Sequence, residues 1–435
     1  FPFEVVPIIN VAGYGDMIAV KLCDDLKIKS QNDNKLLDQA KESAYNKDGT
    51  MLVGAYAGQK SSEAKVNVKA DLIAQGLGLP FSEPQSPVTS RSGDDCIVAL
   101  VPQWYLNYGE ATWKALAEKC MGKMEFFADE TKNQFNAVLG WMKQWACSRS
   151  YGLGTRVPWD EIYLIDSLSD STIYMAFYTI CHMLQGDIYG NTIGSGAIKP
   201  EDVTNEVFDY VFGFNQEVPK CNIPADTLKK MKREFEYWYP VDLRVSGKDL
   251  VPNHLLFYIY NHVAMFDETK WPRSIKANGH LLLNNEKMSK STGNFITLLE
   301  GVVRFSADGT RFGLADAGDT LEDANFVTET ADALILKTYT LIQWIKDTLA
   351  GELRQGPADT MLDRIFENEI RICVKNTDEA YQKMLFKDVL FHAYHGLLDA
   401  RDKYKKASAA QGEIMNAGLI RRFLKAHCVL MAPIC

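Results

Sequence analysis

The stretch Asn278-Gly-His-Leu-Leu-Leu-Asn-Asn-Glu-Lys-Met-Ser-Lys-Ser-Thr-Gly-Asn294 joins a short apolar run to a polar loop. The run, Leu281 to Leu283, predicts a buried strand. The loop carries Lys287, Met288, Ser289, Lys290 and Ser291, and Gly293 closes it. Two ammonium groups and two hydroxyls on one loop suit a polyphosphate, because cations stabilise the phosphate charge that grows in a transition state. A solvated surface loop of ordinary polar residues is the alternative.

A second segment, Tyr239 to His254, predicts a strand over Val241–Val245, a turn at Ser246-Gly247 and a helix from about residue 252. A strand, a glycine turn and a helix N-terminus together let backbone N–H groups approach a nucleotide. The Asp249 carboxylate can then accept hydrogen bonds from ribose hydroxyls, although it can also simply cap the helix. His254, in the first helical turn, can line a substrate pocket or serve only the core.

A third segment, Ile165 to Thr179, places small hydroxyl residues before a helix rich in Tyr and Phe. This composition predicts an apolar pocket with a polar rim, and an N-capped core helix is the alternative. Strands that alternate with helices from about residue 148 to 319 indicate a parallel α/β sheet.

Composition excludes several classes of protein. No apolar run approaches the ~20 residues that span a bilayer. The nine cysteines form no Cys-x-x-Cys pair and no Cys/His cluster, which argues against structural zinc and disulfides and favours a reducing, cytosolic compartment. A net charge of −9 means that any nucleic-acid contact must use local basic patches. The candidates are 401–406 and Arg421, Arg422 and Lys425; a solvated helix face is the alternative for each.

The length of 435 residues predicts two to four domains. The proline-rich run 80–87 marks a boundary, so we divide the chain into 1–95, 96–147, 148–319 and a helical bundle at 320–435. Within these we expect a β-like run at Met17–Leu22 and a helical pattern over Met124–Cys147. Both ends look cut, which predicts a fragment of a longer polypeptide.

The Lys-Met-Ser-Lys-Ser loop resembles the signature loop of class I aminoacyl-tRNA synthetases. Together with Ala146-Cys-Ser-Arg149, Ser167-Leu-Ser-Asp-Ser-Thr-Ile-Tyr174 and Ser246-Gly-Lys-Asp-Leu-Val-Pro-Asn-His254, it makes the whole chain similar to the second half of leucyl-tRNA synthetases of the eukaryotic cytosolic and archaeal type. The resemblance implies an α/β and α fold. The second half of a class I Rossmann-like catalytic domain would occupy 148–319. It would be preceded by the C-terminal part of an editing insert at 1–95 and a helical return at 96–147, and followed by a truncated anticodon-binding helical domain at 320–435.

The resemblance also assigns roles to residues. Gly247 and Asp249 would bind the adenosine of ATP, and Leu168, Ser171 and His254 would form the leucine pocket. The loop residues Lys287, Met288, Ser289 and Lys290 would contact ATP, with Lys287 and Lys290 catalytic. Asp249 and Leu250 stand where bacterial relatives have Glu and His, and no His-x-Gly-His occurs in the chain. ATP with Mg²⁺ is the implied substrate, and no protein-bound metal is expected, zinc included.

The function implied is that of a leucine–tRNA ligase in the cytoplasm, with tRNA(Leu), leucine and ATP as partners. Association with other synthetases is compatible with this function, and no contact with a membrane is expected. Alternatives are a non-catalytic tRNA-binding or leucine-sensing relative, and a synthetase for isoleucine, valine or methionine. The phosphate loop favours the ligase, because a pure binding protein has no use for it. We expect the 435-residue piece alone to be inactive, since half of each site would lie outside it.

Overall fold

A computed structural model of the chain describes residues 5–90, 93–289 and 292–435. The chain divides into two compact units, Phe1–Pro102 and Gln103–Cys435. Among the described residues, none of the helices combines the length and the hydrophobicity that crossing a membrane requires.

The first unit is small. Its elements are β1 (Ile9–Asn10), α1 (Ile18–Asp25), α2 (Asn34–Tyr45), β2 (Thr50–Met51) and α3 (Ser61–Ala74). The two strands pair antiparallel, with Ile9 opposite Met51. The β-like run expected at Met17–Leu22 is wrong, because helix α1 covers most of it. A strand would put Val20 and Leu22 on one face; in the helix Leu22 is buried at 6% exposure and Val20 is 51% exposed.

The second unit begins with a mixed α/β region. Its first elements are β3 (Tyr105–Asn107), α4 (Ala111–Lys123), α5 (Asp129–Trp141), β4 (Gln144–Ala146), β5 (Ser148–Arg149), β6 (Arg156–Val157), β7 (Asp160–Ile165), α6 (Ser167–Asp170), α7 (Tyr174–Tyr178), α8 (Cys181–Leu184), α9 (Asn205–Val211) and α10 (Ala225–Trp238). There follow β8 (Arg244–Gly247), α11 (His254–Met265), β9 (Ile275–Asn278), β10 (Leu281–Leu283), β11 (Glu286–Lys287), α12 (Leu298–Ala317) and β12 (Ala324–Phe326). The predicted strand at Leu281–Leu283 is confirmed, while the one at Val241–Val245 lies three residues further on.

The single helical pattern expected over Met124–Cys147 is wrong at both ends. Glu125 forms a parallel bridge with Ser274, and Phe127 has a positive φ of 58°. After α5, strand β4 pairs antiparallel with β3. Backbone pairing with distant strands has overridden the local helical spacing, which is a common reason for such errors.

Helix α11 is the centre of this region. Its residues Leu255, Leu256, Phe257, Tyr258, Ile259 and Tyr260 are all fully buried. A helix that is apolar all round must be enclosed on every side. It packs against α4, with Ala117, Cys120 and Met121, and against the strand residues Ile275 and Ala277. Helix α11 is therefore enclosed by α4 and by strand β9.

Two parallel strand pairs hold the segments that the sequence singles out. Strands β8 and β9 pair from Arg244 with Ile275 to Gly247 with Asn278. Strand β10 pairs parallel with β12 and antiparallel with β11. The remaining small sheets are antiparallel: β3 with β4, and β7 between β5 and β6.

A helical bundle completes the unit. Its helices are α13 (Thr328–Ala350), α14 (Met361–Gln382), α15 (Phe386–Val389), α16 (Leu397–Ala410) and α17 (Ala417–Met431), with a π-helical segment at Leu390–Gly396. Inside it the buried carboxylate of Asp363 forms an ion pair with Arg354 and accepts from the Tyr404 hydroxyl. Burial acts to raise the pKa of Asp363, but the hydrogen bonds from Tyr404, Arg354 and Thr360 outweigh it and hold that pKa below its usual value.

Candidate functional site

The polar loop sits on a well-anchored hairpin. Asn284 and Asn285, with φ of 51° and 67°, form the turn between β10 and β11, as a two-residue turn of this hand requires. The Asn285 N–H donates to Oδ1 of Asn325 on β12 at 2.7 Å. Beyond β11, the Ser289 N–H donates to the Asn294 carbonyl at 3.0 Å and so closes the loop.

The loop residues point in different directions. Lys287 is exposed on β11, so its ammonium is available to a ligand. Met288 is partly buried and packs against the apolar cluster of Leu283, Phe305 and Phe326, so a contact between Met288 and ATP would have to use its backbone. Lys290 and Ser291 lie outside the described residues.

Gly247 and Asp249 lie together at the end of β8, where the chain enters a tight helical turn over Lys248–Leu250. A Cβ on Gly247 would lie 2.5 Å from Oδ1 of Asp249, which is closer than two such atoms can approach. The absence of a side chain at Gly247 therefore leaves room for the Asp249 carboxylate in its observed position. The Asp249 side chain is 59% exposed and so is open to a ligand.

Three further polar side chains, His280, Asp323 and Lys248, form a chain of contacts that begins at Asp249, and the sequence alone did not single them out. The His280 ring lies between two carboxylates, with Nε2 3.9 Å from Asp249 and Nδ1 3.6 Å from Asp323. Lys248 bridges to Asp323 at 2.7 Å and to the Leu321 carbonyl at 3.0 Å. The Lys248 hydrogen bond, followed by the one from the His280 N–H, lowers the pKa of Asp323. The signal that could have shown this is a histidine directly before a predicted strand of a parallel sheet.

The third segment presents its polar groups from a short helix, α6. Asp166 caps that helix by accepting from the Leu168 N–H at 3.1 Å, and it also forms an ion pair with Arg149. The Ser171 hydroxyl donates to the Ser167 carbonyl at 2.7 Å. These bonds fix the positions of the Leu168 carbonyl and the Ser171 oxygen.

His254 meets this segment directly. Its Nδ1 is 3.2 Å from the Leu168 carbonyl and 3.4 Å from Oγ of Ser171. The ring is 3% exposed, and the Asn253 side chain accepts from its backbone N–H at 2.6 Å. The structure therefore brings together Leu168, Ser171 and His254, which come from segments more than 80 residues apart.

Arg244, at the start of β8, is the residue that sequence reasoning missed here. Its Nη2 is 3.3 Å from Nε2 of His254, and its guanidinium lies over the Tyr174 ring, 5.3 Å from the centroid. Burial lowers the pKa of His254, the hydrogen bond to the Leu168 carbonyl opposes this, and the charge of Arg244 adds to the lowering. An arginine between two apolar residues, Leu243 and Val245, of the predicted strand was the available signal.

The residues around Asp249, the residues around His254 and the polar loop with Lys287 form separate groups in the described structure. His254 and Asp249 belong to one continuous segment after β8. Among the described residues, no hydrogen bond or ion pair joins the side chain of Lys287 to either of them.

The basic patches of the bundle are partly committed to internal contacts. Arg401 stacks on Trp344 at 4.4 Å from the ring centroid, and Arg422 forms an ion pair with Glu367. Lys403 is exposed and pairs with Asp399. The other exposed cations on these two helices are Lys405, Lys406, Arg421 and Lys425.

Comparison with known proteins matches a family to one part of the chain and individual relatives to its whole length. The family described as tRNA synthetases class I (M) matches residues 222–337. The chain is 51% identical over its full length to the cytoplasmic leucine–tRNA ligase of Pongo abelii, of which it covers 37%. It is 49% identical to that of Saccharomyces cerevisiae, with 99% of this chain and 40% of the relative covered. The chain thus spans about two fifths of the length of these relatives.

A solved structure supports the fold. The methionyl-tRNA synthetase of Mycobacterium tuberculosis bound by methionyl-adenylate aligns with a TM-score of 0.52. The alignment covers 76% of this chain and 60% of that structure at 15% identity, so it shows likeness of fold alone.

Proposed function

We propose that the chain belongs to the class I tRNA synthetases and is the part of a cytoplasmic leucine–tRNA ligase that completes the leucine pocket and holds the ATP phosphates. The whole protein would join leucine to ATP, release pyrophosphate, and transfer the leucyl group to tRNA(Leu). The observation that carries the proposal is the meeting of Leu168, Ser171 and His254, in a chain about half identical to leucine–tRNA ligases over its length.

The proposed pocket for the leucine side chain needs no charged group. That side chain offers only an isobutyl group, and one methylene supplies about 1–3 kcal/mol of discrimination in an apolar pocket. A buried, neutral His254 fixed by hydrogen bonds is a suitable boundary for such a group, because it holds its position without presenting a charge.

The proposed ATP site combines residues that follow β8 with residues of the polar loop after β10. Asp249 is exposed at the end of β8 and can accept from ribose hydroxyls, and Gly247 leaves it the space to do so. Lys287 extends from β11 toward solvent. We propose that Lys287, and Lys290 on sequence grounds, lie against the ATP phosphates with the Mg²⁺ that accompanies ATP. Catalysis would then come from positioning and charge stabilisation, with no covalent enzyme intermediate.

Two alternatives remain open to experiment. A synthetase for isoleucine, valine or methionine would share the nucleotide site and differ in the pocket. A tRNA-binding or leucine-sensing relative would keep the pocket and have no activation chemistry. Partners of the ligase would be leucine, ATP and tRNA(Leu), and the exposed cations Lys405, Lys406, Arg421 and Lys425 are the candidates for contact with tRNA.

The deciding experiment is exchange of labelled pyrophosphate into ATP by the full-length protein, with each of the four amino acids in turn. The ligase proposal expects exchange that depends on leucine. Exchange with another of the four acids would replace leucine as the substrate, and a protein that binds leucine or tRNA without any exchange would establish the non-catalytic alternative.

A further inference from the structure

Arg244 is a part-buried cation for which the structure shows no carboxylate partner within the described residues. Its Nε is buried and, among those residues, its N–H donates to no acceptor. The guanidinium is held instead by the Tyr174 ring and by Nε2 of His254 at 3.3 Å. A cation without a carboxylate is costly to bury, so its place beside the proposed pocket calls for a role.

Hydrogen-bond directions around His254 settle which nitrogen carries the proton. The Leu168 carbonyl, 3.2 Å from Nδ1, can only accept. The hydroxyl proton of Ser171 is already directed at the Ser167 carbonyl at 2.7 Å, so Ser171 can only accept from Nδ1 as well. Nδ1 therefore carries the hydrogen. Nε2 is then a bare acceptor, and a guanidinium, which can only donate, is its natural partner.

We propose that Arg244 is a positioning residue of the leucine pocket: by donating to Nε2 of His254 it holds the ring neutral, in one tautomer and one orientation. The inference rests on the proposed function, because it concerns the pocket for the leucine side chain. With Nδ1 bonded to Leu168 and Nε2 to Arg244, both ring nitrogens are occupied by the protein. Only C–H groups of the ring are left for a further contact, which suits an isobutyl group and gives a polar side chain no partner.

The surroundings of His254 support a neutral ring. Burial and the charge of Arg244 both lower its pKa. From the other elements packed here, Tyr174 stacks on Arg244, the Tyr258 hydroxyl lies one turn further along α11, and α4 contributes the buried thiol of Cys120. None of these groups is an anion near neutral pH. Helix α6 brings the carboxylates of Asp166, which pairs with Arg149, and of Asp170, which accepts from the Thr155 hydroxyl, and the charge that acts on the pKa of His254 is that of Arg244.

The test uses the full-length protein with Arg244→Met, Arg244→Lys and a matched control, Arg273→Met. Arg273 lies just before β9, with its side chain 63% exposed in a surface ion pair with Asp242. Pyrophosphate exchange gives KM for leucine, KM for ATP and kcat between pH 6 and 8. For Arg244→Met at pH 8 we expect the leucine KM to rise about tenfold, as when a buried acceptor loses its donor, with the ATP KM unchanged.

The pH profile separates a positioning role from a merely structural one. Without the cation, the pKa of His254 is free to rise, so the leucine KM of Arg244→Met should climb further as the pH falls from 8 to 6. In the parent protein and in Arg244→Lys, which keeps the charge, we expect a flat leucine KM over that range. Arg273→Met should match the parent throughout.

Each outcome bears on a different claim. If the parent protein shows no leucine-dependent exchange, the proposed function fails. If the parent is active and Arg244→Met keeps the parent's leucine KM and pH profile, only the role of Arg244 fails. If Arg244→Met does not fold, the pH profile of the parent protein tests the inference by itself. A leucine KM of the parent that rises steeply below pH 7 would show that His254 gains a proton there and would overturn the inference.

Discussion

Replacing Gly247 by alanine should impair the use of ATP and spare the use of leucine. The glycine has φ −68° and ψ 150°, a conformation that alanine adopts without strain. The new Cβ, however, would lie 2.5 Å from Oδ1 of Asp249 and 3.7 Å from its Cγ. The backbone can stay in place, and the carboxylate must move.

The size of the effect follows from that contact. Real Cβ atoms do not approach other heavy atoms within 3.0 Å, so the carboxylate oxygen must retreat by about 0.5 Å or rotate away. Because the Asp249 side chain is 59% exposed, its movement should cost little stability. A hydrogen bond between the carboxylate and a ribose hydroxyl contributes about 1.5–3 kcal/mol. Its loss predicts an increase of roughly 10- to 150-fold in the KM for ATP.

The assay is leucine-dependent pyrophosphate exchange by the full-length protein, with Gly140→Ala as the matched control. Gly140 lies within α5, and a Cβ there would meet nothing within 4 Å. We expect the control to leave both KM values unchanged and to stabilise the protein by about 0.5–1 kcal/mol. An unchanged ATP KM for Gly247→Ala, or equal increases for ATP and leucine, would show that Asp249 does not bind the ribose.

Three further outcomes are expected. Lys287→Ala, and Lys290→Ala on sequence grounds, should lower kcat for leucine activation on the order of 100-fold; a change confined to the leucine KM in pyrophosphate exchange would contradict the role in phosphate binding. Tyr404→Phe should lower the free energy of urea unfolding by about 1.5–3 kcal/mol at pH 7, since Asp363 loses a hydrogen bond. Because the folded-state pKa of Asp363 is lowered, its stabilisation is present above the unfolded value near 4 and is lost as the pH falls below it, so the difference between Tyr404→Phe and the parent should shrink in acid. The 435-residue chain alone should show no leucine-dependent exchange, and measurable exchange would overturn the prediction that half of the site lies outside it.

The sequence predicts best where a local pattern and the tertiary structure agree. Leu281–Leu283 is apolar, short and followed by Asn-Asn, and it forms the expected strand. The helices of the bundle are equally clear, because their apolar spacing is regular over many turns. Met17–Leu22 fails for the opposite reason: all of its six residues except Lys21 are apolar, and so short an apolar run fits a strand and a helix alike.

The residues of the candidate site also differ in how well the sequence predicts them. Gly247, Asp249 and Lys287 stand in continuous motifs, so the sequence could single them out. The contact between His254 and the Leu168 carbonyl joins segments 86 residues apart, and nothing in either segment specifies that it exists. Arg244 is harder still to predict from the sequence. Its proposed role depends on Nε2 of His254 being free to accept a hydrogen bond, and this depends on which atoms surround the ring.

Strand β8 gives the site a physical reason to work as a unit. Arg244 at its start supports His254, and Gly247 at its end makes room for Asp249, three residues or about 10 Å further along. Both positions are fixed by the pairing with β9, from Ile275 to Asn278, and by the buried side chains of that strand. The proposed leucine pocket and the proposed ribose site therefore share one strand.

The loop that we propose to bind the phosphates is not attached to β8 and β9. It follows β10, which pairs parallel with β12. The chain passes from β9 to β10 through Gly279 and His280. A Cβ on Gly279 would lie 2.0 Å from the Glu322 carbonyl, so the crossing between the two pairs is tightly packed. Beyond it, Lys287 is exposed on β11, opposite Leu282. The proposed sites for the amino acid and the ribose thus lie on the β8–β9 pair, whereas the lysine proposed to meet the phosphates lies on the separate sheet of β10, β11 and β12.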